Sequence, residues 1–380
     1  MQPKSVYQQT ELLPLTSLRF VAAFYVFLFH MHIRWPLVEP GYLSNVLSQG
    51  AIGMSIFFML SGFILSHRYA GGPINWRTYA MNRVARIYPV YLVAAAITLP
   101  WLVTQVADRS KDSVHLLAKG TALLVSNIFV IQAWFPQTFS FWNDSGSWSI
   151  SVEAFFYALF PAIVGRIGRM TITDMLRLAV VAYLLCIFIG FSSLAFEEKP
   201  PFPVFYAMPI FRLSEFIIGI CAYMVSRKLR HLLRSDLILL STAVIIGTYL
   251  AFFGESLPGY IVHNWLVVPS IAVVLIVLSG GDGVIARLMS TGALVWGGRI
   301  SYCFYSFQVL IILALLSSHD WLVIRIPAFS DNRLLCVSAF ILLLVMSAIG
   351  YHWIEEPLRR RLAARPASSI FRGNQETVTS

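Results

Sequence analysis

The chain has 380 residues, 58% of them hydrophobic and only 12% charged, with a formal net charge of +10 and a mean hydropathy of +0.72. Soluble domains carry about 25% charged residues, so this composition excludes a soluble enzyme, a disordered chain and, despite the positive charge, a nucleic-acid-binding domain. One polytopic membrane domain remains, in place of the two or three soluble domains that the length would suggest. Four cysteines, Cys186, Cys221, Cys303 and Cys336, lie inside apolar runs. That placement gives no disulfide framework and no CxxC metal site, and no metal is expected. The first apolar run carries Arg19 in its interior and no small-residue cleavage site follows it, so it reads as a retained span rather than a signal peptide.

A spanning helix needs about 20 mostly apolar residues. Such runs lie near 15–34, 50–68, 87–106, 115–133, 148–165, 175–195, 206–226, 236–253, 262–279, 298–317 and 334–354. Loop Lys and Arg residues set the orientation. Assigning the loops around residues 68–86, 166–177, 227–234 and 287–299 and both termini to the cytoplasm leaves 19 basic residues on that side. The other side has seven, and Arg19 and Arg212 lie within helices. The loops at 68–87 and 166–177 then share a side, so an even number of crossings separates them, yet three candidates lie between. The run at 115–133 carries His115, Lys119, Ser126 and Asn127 and is expected to be interfacial or re-entrant. The prediction is an all-α polytopic membrane bundle of about ten transmembrane helices plus that segment. It comprises a cytoplasmic N-terminal segment (1–14), a membrane domain (15–357) and a basic cytoplasmic tail (358–380).

Ionisable groups at membrane depth are costly and face a bundle interior or a wet cavity. Arg19, His30, Glu153, Arg212 and Glu215 are of this kind. Arg19 and His30 are eleven residues apart, three helical turns plus about 20°, so they share one helix face about 16 Å apart. Arg212 and Glu215, at i,i+3, neutralise each other equally well as a structural pair. Counting down from the expected span ends puts His30, Glu153, Arg212 and Glu215 at similar depths on the outer side. Arg83 and Arg86, at i,i+3 before a span, lie on the inner side with Arg19. Arginine forks suit phosphate, although positive-inside anchoring explains the pair as well.

At these residues the sequence resembles the acyltransferase-3 family of membrane O-acyltransferases. Arg19 through His30 resembles its Arg-x10-His signature, and Gly53 to Phe63, with Ser61-Gly62-Phe63, resembles its second-span pattern. Asn82 to Pro89 is similar to its Arg-x-x-Arg-Ile-Tyr-Pro element, and Gly146 to Glu153 to its Trp-Ser-x-Ser-x-Glu element. Arg212 to Gly219 and Tyr351 to Pro357 fit weaker later signatures. The stretch from Ser301 to Gln308 departs from the family, which often has histidine where Gln308 stands. The soluble esterase-like domain that some members append is not expected within these 380 residues.

The resemblance implies transfer of an acyl group, usually acetyl, from cytoplasmic acyl-CoA to a hydroxyl of a cell-surface carbohydrate or its lipid-linked precursor. Acyl-CoA is then a donor substrate, with no permanently bound cofactor. The other expected partners are the glycan acceptor and membrane lipids, and the expected location is the bacterial inner membrane. On this reading His30, Glu153 and Arg19 are catalytic. Arg83, Arg86, Tyr88 and Ser61 bind the donor, and Trp148, Ser149, Ser151, Arg212, Glu215 and Tyr302 bind the acceptor. Residue chemistry agrees: imidazole titrates near neutral pH and can take a hydroxyl proton, and a carboxylate can orient it. A transporter or flippase of a lipid-linked glycan or small metabolite would use the same buried charges, but should show internal repeats with interrupted helices, which the sequence lacks. No HExxH, Walker or GxSxG pattern occurs, and Ser61-Gly62 also suits close helix packing.

Overall fold

A computed structural model describes residues 11–108, 110, 112–138, 147–196, 204–229, 236–254, 260 and 263–362. Most of the expected N-terminal segment and of the basic tail, and the loop carrying Arg230 and Arg234, lie outside these residues. Every regular element among them is helical: α1 (Leu13–His32), α2 (Tyr42–Leu47), α3 (Ile52–Tyr69), α4 (Trp76–Asp108), α5 (Ser113–Ile128), α6 (Ser147–Ile167), α7 (Ile172–Ala195), α8 (Val204–Ala207), α9 (Leu213–Leu229), α10 (Asp236–Phe253), α11 (Val268–Ser279), α12 (Val284–Met289), α13 (Gly292–Arg325), α14 (Asn332–Gly350) and α15 (Glu356–Leu362). Hydrocarbon offers no partner to backbone polar groups, so apolar segments satisfy them internally as helices. Nine helical segments among the described residues are long and apolar enough to cross a membrane, and Asn264–Ser279 is a shorter apolar helix. These ten coincide with the ten expected spans.

Helix α5, with 16 residues, is not one of them. Asp112 caps it, accepting from the His115 backbone N–H at 2.8 Å, a bond that holds the Asp112 carboxyl below the usual carboxylate range. The other end of α5 docks on α4, where Tyr91 donates to the Asn127 carbonyl at 2.8 Å. The chain then turns inward through a 3-10 turn, Gln132–Trp134. Gln132 is fully buried and donates to the Ser147 carbonyl at 2.8 Å, at the start of α6.

Small residues let the central helices approach closely. A Cβ on Gly62 of α3 would lie 2.3 Å from the Phe216 carbonyl oxygen, and one on Gly219 of α9 would lie 2.0 Å from that of Met59. Gly298 of α13 packs in the same way on the Thr16 backbone of α1. Further along, Trp35 stacks on His319 at 5.7 Å, so α1 and α13 run parallel. Tyr302 donates to the Ile87 carbonyl and Trp101 to Ser317, so α4 runs parallel to both. Helices α7 and α10 lie at the periphery, where Val180, Leu184, Phe188, Leu240 and Val244 are exposed, as lipid-facing side chains should be.

Candidate active site

Helices α1, α3, α4, α6 and α13 surround a cavity of about 90 Å³. Its wall carries Arg19, Ser61, Arg83, Arg86, Glu153 and Tyr302, each singled out by the sequence, together with Ser149. Glu153 accepts a hydrogen bond from the Ser61 hydroxyl at 2.9 Å and another from Tyr157. Both bonds fall on Oε1, and Oε2 accepts none among the described residues. Ser149 shares a 2.8 Å hydrogen bond with Tyr305.

The three arginines are held differently. Arg86 pairs with Glu355, whose carboxylate is fully buried and also accepts from the Cys303 thiol at 3.2 Å. Arg86 lies 5.4 Å from the Tyr302 ring centre. Arg83 has no carboxylate partner among the described residues. Its guanidinium sits among the rings of Tyr157 (5.4 Å), Tyr69 (5.8 Å) and Tyr79 (5.9 Å), and its Nε is buried without a hydrogen bond. Arg19 makes no hydrogen bond or ion pair to any described side chain. Three guanidinium groups against Glu153 and Glu355 leave this end of the bundle cationic. The rings raise the attraction without neutralising it.

The expected depth of Glu153 is corrected here. It lies level with Arg19 and Arg86, because α6 begins recessed, at the bottom of the inward turn after α5. His30 is absent from the cavity wall, eleven residues and about 16 Å along α1 from Arg19. Its Nδ1 faces Arg34 Nη1 at 3.4 Å. Arg34 Nη1 also donates to the His30 carbonyl at 3.1 Å, and since arginine only donates the contact with the ring falls on the Nδ1 lone pair and is long.

Other expected residues also fall away from the cavity. Tyr88 turns to α5 and donates to the Ile128 carbonyl at 3.1 Å. Trp148 packs in the core on Tyr206 and Phe58, with ring centres 5.3 and 6.0 Å away. Ser151 is buried and accepts from the Ala133 N–H at 3.4 Å. Arg212 and Glu215 form a fully buried ion pair at 3.0 Å. Ser55 donates to Glu215 at 2.9 Å, and Arg212 lies over Phe58, Tyr206 and Tyr260 at 4.9–5.3 Å. That arrangement is the mutual neutralisation open to an i,i+3 pair.

Glu355, Tyr157 and Tyr305 were not among the expected site residues. Glu355 ends an apolar span and, as an acid at membrane depth, carried a legible signal. What turns it inward is a π-helical turn over Tyr351–Glu355, whose extra residue rotates the helix face. Among the described residues no group of three or more His, Cys, Asp or Glu could hold a metal ion.

A polytopic helical bundle around a cationic, carboxylate-bearing interior cavity defines an integral membrane protein with a polar site inside the membrane. The chain belongs to the acyltransferase-3 family, matching its acyltransferase domain over residues 15–352. It is 25% identical over 373 residues to YrhL of Bacillus subtilis (strain 168), provisionally named a peptidoglycan O-acetyltransferase, covering 91% of this chain and 54% of that protein. It is 28% identical over 228 residues to acyltransferase MdmB of Streptomyces mycarofaciens, 56% of this chain and 57% of that one. It is 21% identical over 388 residues to O-acetyltransferase OatA of Staphylococcus aureus (strain NCTC 8325 / PS 47), 94% of this chain and 59% of that one. The chain thus spans a little over half the length of these relatives. No solved structure matches it.

Proposed function

We propose that the protein is a membrane O-acyltransferase that moves an acyl group, normally acetyl, from cytoplasmic acyl-CoA to a hydroxyl of a cell-surface or lipid-linked carbohydrate. The observation that carries this reading is the meeting of Arg19, Arg83 and Arg86 with Glu153 in one interior cavity. Acyl-CoA is polyanionic, and arginine clusters inside a low-dielectric bundle favour phosphate. The 19-to-7 split of basic residues supports a cytoplasmic arginine end, both termini inside and a bacterial inner membrane. The names of YrhL and OatA support a glycan acceptor.

Arg83 binds the donor phosphates, being the cation with rings around it and no carboxylate on it. Arg19 guards the route from the cavity along α1, and Glu153 presents Oε2 to the entering thioester arm. His30, whose Nδ1 makes only a long contact with Arg34, takes the acceptor proton at the outer end. The acceptor oxygen bonds to the acyl carbon, the C–S bond breaks with its electron pair on sulfur, and the proton passes to the leaving thiolate.

The test is reconstitution in sealed vesicles, with radiolabelled acetyl-CoA on the arginine side and an N-acetylglucosamine oligosaccharide opposite. Label should appear in the sugar as an ester. No transfer from saturating donor, or glycan translocation without ester formation, would overturn the reading, the latter in favour of a flippase.

A further inference from the structure

A second, smaller cavity of about 30 Å³ adjoins the cationic one, sharing Ile150 and Tyr305 with it. It continues away from the arginines between α4, α6 and α13. Thr98 on its wall lies twelve residues beyond Arg86, about 18 Å along α4. Thr98 thus marks the level that His30 reaches on the parallel helix α1, while Ser306, four residues beyond Tyr302, stands about 6 Å along α13, between the arginines and that level. The space exists because α4 presents Ala94, Ala95 and Thr98 there.

Among the described residues, two polar atoms on this wall have no hydrogen-bond partner. The hydroxyl oxygens of Ser147 and Ser306 are buried and make no hydrogen bond, and Ser306 is only 7% exposed. The neighbouring hydroxyls of Tyr91 and Tyr305 are satisfied by Asn127 and Ser149. Native proteins rarely leave buried hydroxyls unpaired, and a catalytic role is one recognised reason for an exception.

We propose that this second cavity is the acyl pocket: it receives the acyl group of the thioester, and the Ser147 and Ser306 hydroxyls donate to the thioester carbonyl oxygen. The proposal rests on the reading of the protein as an acyl-CoA-dependent O-acyltransferase. The volume holds roughly two water-sized groups, which suits the methyl and carbonyl of acetyl better than longer chains. As the acceptor oxygen attacks, negative charge builds on the carbonyl oxygen, where two fixed donors stabilise it. Val309 and Ala95 on the wall set the pocket length.

The experiment compares acetyl-, propionyl- and butyryl-CoA as donors to one saturating acceptor, using purified protein in lipid nanodiscs. Wild type should lose about tenfold or more in kcat/KM per added methylene. Val309→Ala should raise the propionyl-to-acetyl ratio about tenfold, and Ala95→Val should lower it. Ser306→Ala, which conserves volume, should lower kcat about ten- to a hundredfold with the KM for acetyl-CoA unchanged. A wild type indifferent to chain length overturns the pocket assignment. So do ratios that stay within twofold of wild type in both size variants while acetyl transfer persists, and so does a Ser306→Ala with wild-type kcat. A wild type that takes acyl groups from none of the three donors overturns the underlying acyl-CoA reading instead.

Discussion

Arg86→Ala should unfold the bundle more readily than Arg83→Ala, although the two residues sit one turn apart and line the same cavity. The Glu355 carboxylate is fully buried, and Arg86 is its ion-pair partner; among the described residues its one other donor is the weak Cys303 thiol. Removing one member of a buried pair strands the other charge and costs about 3–5 kcal/mol, roughly two to three and a half powers of ten in the folding equilibrium. Arg83 holds no carboxylate, so its loss removes ring contacts worth about 0.5–2 kcal/mol. The assay is thermal unfolding in mild detergent, followed by tryptophan fluorescence and by size-exclusion monodispersity. Arg86→Ala should melt well below both wild type and Arg83→Ala. Adding Glu355→Gln to Arg86→Ala should recover most of the loss, because the stranded charge is gone, and the double-mutant cycle gives the coupling. An Arg86→Ala protein that melts with wild type, or a double variant no more stable than the single one, would refute the assignment of Arg86 as the counter-charge of Glu355. Arg83→Ala should therefore report donor binding cleanly, as a higher KM for acyl-CoA.

Glu153→Gln keeps the shape of the site and can still accept from Ser61, so it should lower kcat by tenfold or more while sparing stability; an unchanged kcat makes Glu153 structural. Gly219→Ala should destabilise by a few kcal/mol, because its Cβ would stand 2.0 Å from the Met59 oxygen and helix backbones must separate to admit it. Gly165→Ala, with nothing within 4 Å, should leave the melting temperature in place or raise it slightly. Outside the spans, Glu11 is partly desolvated, which opposes its charge, but hydrogen bonds from Arg299 and Thr16 outweigh burial and lower its pKa. A depressed carboxyl stabilises the fold above its unfolded pKa and loses that effect as pH falls through the folded one. The stability gap between wild type and Glu11→Gln should thus be full at about pH 6 and shrink as pH falls below the unfolded carboxyl value of about 4.3; a gap that does not change with pH would exclude the Glu11–Arg299 clamp as its source.

Properties carried by local stretches of chain were legible in the sequence. Apolar length marked the spans, since hydrocarbon forces each to close its own hydrogen bonds. The parity of basic loops singled out the segment after residue 115, and α5 docks on the flank of α4 and is not among the helices long and apolar enough to cross. The pairing of Arg212 with Glu215 was implicit in their i,i+3 spacing, and the shared face of Arg19 and His30 in helical geometry. Depth across helices was not legible in this way. Counting from span ends set Glu153 beside His30, but the inward turn at Gln132–Trp134 lowers the start of α6 and brings Glu153 to Arg19. Likewise nothing in the spacing of Glu355 announces the π-helical turn that aims it at Arg86, 269 residues away. A one-dimensional pattern fixes rotation and rise within a helix, because backbone geometry repeats. Where one helix begins relative to its neighbours is decided by packing between segments distant in sequence, and that offset determines which charges share a cavity.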